Sequence, residues 1–346
     1  MRPSAVALSG VTRRRLLQQA QRAARLAPPF FLFGMPGFAS TASRSDKALI
    51  AITMDLEMSR DYPQRGMTHW DYEKGNLDEP TKQYALHAAR IVKQYGGVIH
   101  FFLVGRVLEQ ADVGWLHQLI EAGHPIGNHT YDHVNVMAGT AAEVQYRFQR
   151  APWLIRNKSV AEVIRENIEM TTQAMRQRLG IEPNGFRAPG GFAGGLRERS
   201  DLRELVKSLG FRWCSSLYPS HPTTTPGSPP DEQLWKSLPR AWQEAQPFVY
   251  SDGLLEIPMS PVSDVTAFRS QRWKLAWFLE SVRHAVDWAI QNRAVFDFLC
   301  HPSCLVVEDP QGEVFHTIGR MVTDAGDKAA LVSLDDVAKQ AWPRQP

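Results

Sequence analysis

Cysteine is nearly missing from this chain. Three stand among 346 residues: Cys214, Cys300 and Cys304. The count is odd and contains no close CxxC pair, so there is no disulfide framework and no cysteine-built zinc site to argue from. Those in FRWCSS and DFLCHP lie in apolar runs and read as buried thiols. Beyond the N-terminal region no run of 18 clean apolar residues occurs, so no other segment is expected to span a membrane. A basic footprint is missing too, which excludes a nucleic-acid surface. No internal repeat is visible, and no Pro/Gly/Ser linker divides the body. The apolar content of 43%, with 24 glycines and 23 prolines, belongs to a loop-rich globular enzyme rather than a fibrous or disordered chain.

Acid is absent from the first 45 residues. Arg2, Arg13, Arg14, Arg15, Arg22 and Arg25 stand there without a carboxylate until Asp46. A weakly apolar stretch follows, LAPPFFLFGMPGFASTA, with small residues at Gly37, Ala39, Ser40 and Ala42 that offer a cleavage site. Basic, then apolar, then small is the order of an export signal. TRRRLLQ at Thr12–Gln18 resembles the twin-arginine export signal of bacteria. Residues 1–42 are therefore expected to be a signal segment, with the protein in the periplasm or at the cell surface; the alternative is a basic tail on a cytoplasmic protein. The whole chain carries +3, and without those six arginines a chain starting near residue 40 carries −3. The pI of about 8.7 thus says little about a mature form.

The body alternates strand-like and helix-like segments. KALIAITMD (47–55), VIHFFLV (98–104), HPIGNH (124–129), GFRAP (185–189), FRWCSS (211–216), LLEIPMS (254–260) and VFDFLCH (295–301) read as strands. Helical stretches are expected over Pro80–Tyr95, Val113–Ala122, Thr140–Arg150, Val160–Leu179, Leu196–Leu209, Gln271–Gln291 and Leu334–Trp342. Residues 219–247, rich in Pro, Thr and Ser, read as an irregular surface excursion. About seven parallel strands with helices between them make one α/β domain over 47–342, barrel-like, with an open doubly wound sheet as the structural alternative.

Polar residues gather where those strands end. Asp55 and Glu57 close ITMDLE, His129 and His133 lie in GNHTYDH, Arg187 in GFRAPGG and His301 after VFDFLC. In a β/α barrel such positions converge at one mouth. Two histidines and a carboxylate can hold one zinc ion; a second carboxylate and a further histidine can act as base and acid. His129 and His133, four apart, would share a face on a helical turn. Asp55 and Glu57 flank Leu56 and so point the same way; two such acids resist joint ionisation unless a cation intervenes. Which acid takes which job is left open by the residues alone. Asp132 reads as a cap or supporting acceptor. The Arg187 fork can hold a carboxylate through paired hydrogen bonds. A histidine at position 301 can move protons near neutral pH.

In that order ITMDLE, HTYDH, FRAPG and FLCH resemble the polysaccharide deacetylase family, the NodB homology domain of carbohydrate esterase family 4, over roughly residues 47–305. The resemblance implies a distorted, partly open (β/α) barrel whose enzymes remove N-acetyl, or sometimes O-acetyl, groups from sugars with one divalent ion, here expected to be Zn2+. It implies that Asp55 is the base, that Arg187 orients it, that His129 and His133 bind the metal, and that His301 is the proton donor with Leu299 walling the acetyl pocket. The family's first motif usually ends in Asp-Asp. Here Leu56 fills the ligand position and Glu57, one place on, looks like its replacement. The implied substrate is a peptidoglycan- or chitin-like glycan. Alternatives are a cyclic amide or imide, or a catalytically inactive carbohydrate-binding domain. The loop 59–80, with Tyr62, His69, Trp70, Asp71 and Tyr72, and the 219–247 excursion are candidates for substrate contact.

Overall fold

A computed structural model describes residues 46–59, 62 and 74–341, which belong to one compact unit. The expected signal segment, most of the 59–80 loop with His69, Trp70, Asp71 and Tyr72, and Trp342 lie outside the described residues. Nine strands form a single sheet: β1 (Ala48–Leu56), β2 (Ile99–Leu103), β3 (Ile126–Asn128), β4 (Phe186–Phe192), β5 (Trp213–Leu217), β6 (Phe248–Val249), β7 (Leu255–Glu256), β8 (Val295–Cys300) and β9 (Ala329–Val332). Their order is β6-β7-β5-β4-β3-β2-β1-β8, with β9 also on β1. All pairs are parallel except β6–β7. The sequence-based expectation of about seven parallel strands is thus short by two. The extra ones, β6 and β9, are two and four residues long, and the first of them runs antiparallel.

A strand has two edges, and β1 uses them for three partners. β8 covers Leu49–Met54; β9 pairs with Ala48–Ala51 and β2 takes over from Ile52. Every residue of β1 is buried, as its unbroken apolar run requires of a central parallel strand. Ile50 and Ile52 face the helices α1 (Glu79–Gln94), α7 (Leu275–Asn292) and α9 (Glu313–Ala325). Leu49 and Ala51 face the other way, onto Phe102, Trp213 and the last helix, α10 (Leu334–Ala341). Here α10 plugs one end of the concave face with Leu334, Val337 and Ala338.

The sheet is open, because β6 and β8 end the order without pairing to each other. It is also strongly curled into a half-barrel. In a flat sheet β4 and β8, four positions apart, would be separated by about 19 Å. Yet Arg187 on β4 reaches Asp297 on β8 at 2.6 Å. The remaining helices are α2 (Gly114–Glu121), α3 (Tyr146–Arg150), α4 (Val160–Leu179), α5 (Ser200–Ser208), α6 (Glu232–Glu244) and α8 (Pro302–Glu308). The start and end of α4 follow local chemistry: a Ser159–Glu162 capping box opens it and Gly180, left-handed, stops it.

Three segments depart from expectation. The helix expected over Thr140–Arg150 is a 3₁₀ turn, Ala141–Glu143, followed by the short α3. The expected start at Gln271 belongs to a bend, with a π-helical turn over Val265–Ser270 ahead of α7. And the excursion 219–247 contains α6, which Asp231 caps and which buries Leu234, Leu238 and Trp242 despite Pro239 within it. Among the described residues no helix is long and apolar enough to cross a membrane.

Candidate active site

At the C-terminal end of β1 the chain presents Asp55 and then bends. Glu57 N–H donates to Asp55 O at 3.0 Å, so Glu57 has left the strand while its side chain still enters the concave face. Met58 N–H donates to Lys74 O at 2.9 Å, which brings Lys74 beside Glu57. His129 follows β3 and is held by its backbone N–H on Leu103 O at 3.1 Å. The helical turn expected for HTYDH is not formed. Thr130 and His133 take left-handed conformations, with φ of 59° and 55°. Asn128 Oδ1 accepts from Thr130 N–H, and Thr130 Oγ1 from Val134 N–H. The tight loop brings the two imidazoles together all the same, with ring centroids 5.0 Å apart.

Glu57, His129 and His133 each offer one ligand atom, all within 4.8 Å of one another. The three side chains fit a divalent cation for reasons visible in their hydrogen bonds. His129 Nδ1 lies 2.9 Å from Arg187 O, a carbonyl that can only accept, so Nδ1 carries the proton and Nε2 turns a bare lone pair into the site. Glu57 Oε2 is buried and receives no aligned hydrogen bond, although His133 Nε2 is 2.7 Å away and His129 Nε2 3.8 Å. A buried acceptor left without a donor calls for an explanation, and a shared cation is one. Burial lowers His129 to about 4, only partly opposed by Asp55, and burial lowers His133 as well; neutral imidazoles are the metal-binding form. Burial pushes the Glu57 carboxyl up, but His133 and Lys74 outweigh it and hold it well below the usual carboxylate range.

Asp55 stands next to this trio. Its Oδ1 accepts from Arg187 Nη1 at 3.1 Å, while Oδ2 faces His129 Nε2 at 3.5 Å and His301 Nε2 at 4.0 Å. Arg187 is fully buried and makes four hydrogen bonds: besides the one to Asp55, Nη1 donates to Thr53 Oγ1 at 2.8 Å, Nη2 to Asp297 Oδ2 at 2.6 Å, and Nε to Ser215 Oγ at 3.3 Å. Its guanidinium lies over the Phe102 ring, 4.2 Å from the centroid. Burial raises Asp297 to about 6, against the pull of Arg187. His301 caps α8 on the far side of the mouth. Asp264 grips it twice, accepting from the backbone N–H at 2.7 Å and from Nδ1 at 2.9 Å, which aims Nε2 inward. Burial lowers the His301 imidazole, but the Asp264 carboxylate more than compensates and the net direction is up.

All six residues singled out from the sequence, Asp55, Glu57, His129, His133, Arg187 and His301, therefore converge. Asp132 turns away onto Arg147 and Arg106. Three members of the site escaped the sequence reading. Asp297 interrupts the apolar run VFDFLC four residues before His301, which puts it on the same face of β8, and that was a usable signal. Asp264 and Lys74 come from loops and carry no local pattern. Beside His133 a cavity of about 330 Å³ opens, lined by Asn135, Glu143, Tyr146 and Phe192 among others.

Residues 72–214 match the family model described as polysaccharide deacetylase, a stretch that holds His129, His133 and Arg187 but not Asp55, Glu57 or His301. No curated protein matches the chain. Among solved structures the fold is similar to a protein assigned as a polysaccharide deacetylase from Mycobacterium smegmatis, at 16% identity and a TM-score of 0.57, covering 86% of this chain and 91% of that one. It is similar to PuuE allantoinase at 14% identity and a TM-score of 0.57, covering 92% and 100%. A protein assigned as a polysaccharide deacetylase from Pseudomonas aeruginosa PAO1 aligns at 14% identity and a TM-score of 0.56, covering 86% and 92%. The family match over residues 72–214, the half-barrel and the converging site agree in likening this chain to the polysaccharide deacetylase family.

Proposed function

We propose that the chain is a metal-dependent hydrolase that removes N-acetyl groups from a carbohydrate and releases acetate. The observation that carries the reading is the unsatisfied Glu57 Oε2 between His129 and His133, with an acid and a base-type side chain on either side of it. Glu57, His129 and His133 would hold a divalent cation, Zn2+ by the chemistry of two imidazoles and a carboxylate, which when bound would supply Lewis acidity toward a carbonyl and a water. Asp55 is placed to take a proton from the attacking water through Oδ2, the oxygen that does not accept from Arg187. Arg187 orients Asp55 through the hydrogen bond to Oδ1. His301, held by Asp264, gives a proton to the departing amine.

The family supports a sugar substrate, and the cavity beside His133 supports it as well. Tyr146, Phe192, Asn135 and Glu143 line it, aromatic and polar side chains together, in a space large enough for a sugar ring. The Asp-x-Glu motif and the fold likeness to an allantoinase favour a second reading, hydrolysis of a cyclic amide or imide at the same centre. The arginine-rich N-terminal segment supports export to the periplasm or cell surface, where cell-wall glycans are available. D55N is expected to abolish acetate release from peptidoglycan fragments or chito-oligosaccharides while metal content holds at about one ion per chain. Full activity in D55N would remove Asp55 as the base. Turnover confined to cyclic amides would replace the sugar by the second substrate class. A full-length, uncleaved protein in the cytoplasmic fraction would remove the argument from location.

A further inference from the structure

Lys74 is a buried cation that the reaction as derived leaves unused. Its side chain is 6% exposed, its Nζ pairs with Glu57 Oε1, and it lies 3.4 Å from His133 Nε2. The turn that carries it is clamped. Met58 N–H ties Lys74 O to the residue after Glu57, and the next residue, Gly75, is packed so closely that a Cβ there would fall 2.4 Å from Arg106 Cβ and 2.8 Å from Val107 N. The backbone that carries the ammonium is therefore fixed beside Glu57, and the ammonium itself is held between Glu57 Oε1 and His133 Nε2.

The two oxygens of Glu57 are consequently unequal. Oε1 is claimed by Lys74, with His301 Nε2 3.8 Å away, and Oε2 faces His133 and His129. Glu57 stands one residue late and one methylene longer than an aspartate ligand would be, and a longer side chain has more ways to miss. A fixed partner on the outer oxygen removes that freedom. The same partner has a cost for the cation. A full positive charge beside the ligand set opposes a second one, and it supplies a buried carboxylate with a counter-charge when no ion is bound.

We propose that Lys74 is a positioning residue for Glu57 and a built-in competitor of the divalent cation: it restricts Glu57 to one coordinating oxygen and weakens metal binding. The site then holds its ion exchangeably, and the metal-free protein keeps its fold. This inference rests on the metal-binding reading of Glu57, His129 and His133.

Titration of the full chain with Zn2+ against a chromophoric chelator, alongside thermal melts with and without the ion, tests it. K74M should bind Zn2+ about tenfold or more tightly than the wild type, as expected for removing a like charge a few ångströms away. Its metal-free form should melt at a lower temperature, and Zn2+ should restore more of that loss than it adds to the wild type. K74Q keeps a donor for Oε1 without the charge, and it should also bind more tightly, which covers the case of K74M failing to fold. K74R should stay near the wild type. Equal or weaker Zn2+ binding in K74M and K74Q overturns the proposal even where H129A shows the site to be real. Absence of Zn2+ binding in wild type and variants alike removes the metal reading, and this inference with it.

Discussion

Two glutamates are buried at strand ends of the same sheet, and they could hardly be treated more differently. Glu256, the last residue of β7, is fully buried and receives a donor on every side. Its Oε1 accepts from the backbone N–H groups of Ser216 at 2.6 Å and Leu217 at 2.9 Å. Its Oε2 accepts from Ser216 Oγ at 2.6 Å, Tyr250 OH at 2.9 Å and Cys214 Sγ at 3.2 Å. Glu57 is as deeply buried, but one oxygen goes to Lys74 and the other has no aligned donor. Burial and charge do not separate the two residues; the donor count does. A carboxylate whose lone pairs are all filled from its own fold is a brace, here tying β5 to β7. One left open toward two imidazoles is organised for something that comes from outside.

The largest expected effect breaks the comparison at the open end. E57Q should cost about two orders of magnitude or more in Zn2+ affinity, as loss of a direct ligand exceeds the penalty usual for its supporting partners. E256Q should leave the affinity unchanged. Equilibrium dialysis of both variants decides it, and equal losses would show that the donor count does not identify the metal ligand.

Next comes Arg187, which sits between the two regimes. It is a fully buried cation that braces β4 against β1 and β8, and it also holds the candidate base. R187M strands Asp55 and Asp297 without their shared partner and should destabilise the fold by about 3–5 kcal/mol in denaturant unfolding. A loss under about 1 kcal/mol, within the range of a surface pair, would mean that the network is solvated.

How much of this was legible beforehand follows from where each residue gets its neighbours. The six predicted site residues each terminate or follow an apolar run, and parallel strands deliver their C-terminal ends to one side, so the pattern alone places them together. Asp297 lay in plain view as an acid inside an apolar strand; alternation along β8 pairs its face with that of His301. Lys74 and Asp264 could not be read, because their positions depend on the paths of loops: Lys74 on a backbone bond to Met58, Asp264 on a bend that places it two hydrogen bonds from His301. On the scale of the fold, the long strands were visible and β6 and β9 were not, since two to four residues carry no period. Pro239 and the Pro-rich lead-in hid α6, whose amphipathic stripe Leu234–Leu238–Trp242 tolerates the proline in its middle. Sheet closure is invisible in any such pattern, and the curl shows only in contacts such as Arg187 to Asp297.

A smaller effect appears on acidification. His100 on β2 is fully buried beneath the Arg187 network, stacked on Phe102, with Nε2 donating to Asn184 O at 2.7 Å. Burial lowers it from 6.5 to about 4. Above pH 6.5 the imidazole is neutral in both folded and unfolded chains and contributes no pH dependence. As pH falls from 6.5 toward 4 the unfolded chain takes the proton and the folded one resists, so stability is lost over that window, by roughly 3 kcal/mol at its lower end. H100F should flatten that part of the pH–stability curve. An unchanged slope would place the acid sensitivity elsewhere.

The smallest expected effect tests the closed end of the comparison. E256Q keeps the shape of the side chain and one acceptor oxygen, but its amide must turn an NH2 group toward donors that already point inward. With Oε1 retained, the amide meets Ser216 Oγ, Tyr250 OH and Cys214 Sγ; with the amide flipped, it meets two backbone N–H groups that cannot rotate away. The hydroxyls of Ser216 and Tyr250 can turn to accept, so the first arrangement should prevail and the loss should stay at about 1–3 kcal/mol of unfolding free energy. Metal affinity and hydrolytic activity should survive at temperatures below the new melting point. Because a brace acts through the fold and a ligand through the ion, adding Zn2+ should shift the melting temperature of E256Q by as much as it shifts the wild type. An E256Q protein that melts normally but no longer responds to Zn2+ would show the two carboxylates to be coupled, and would make Glu256 part of the site rather than part of its frame.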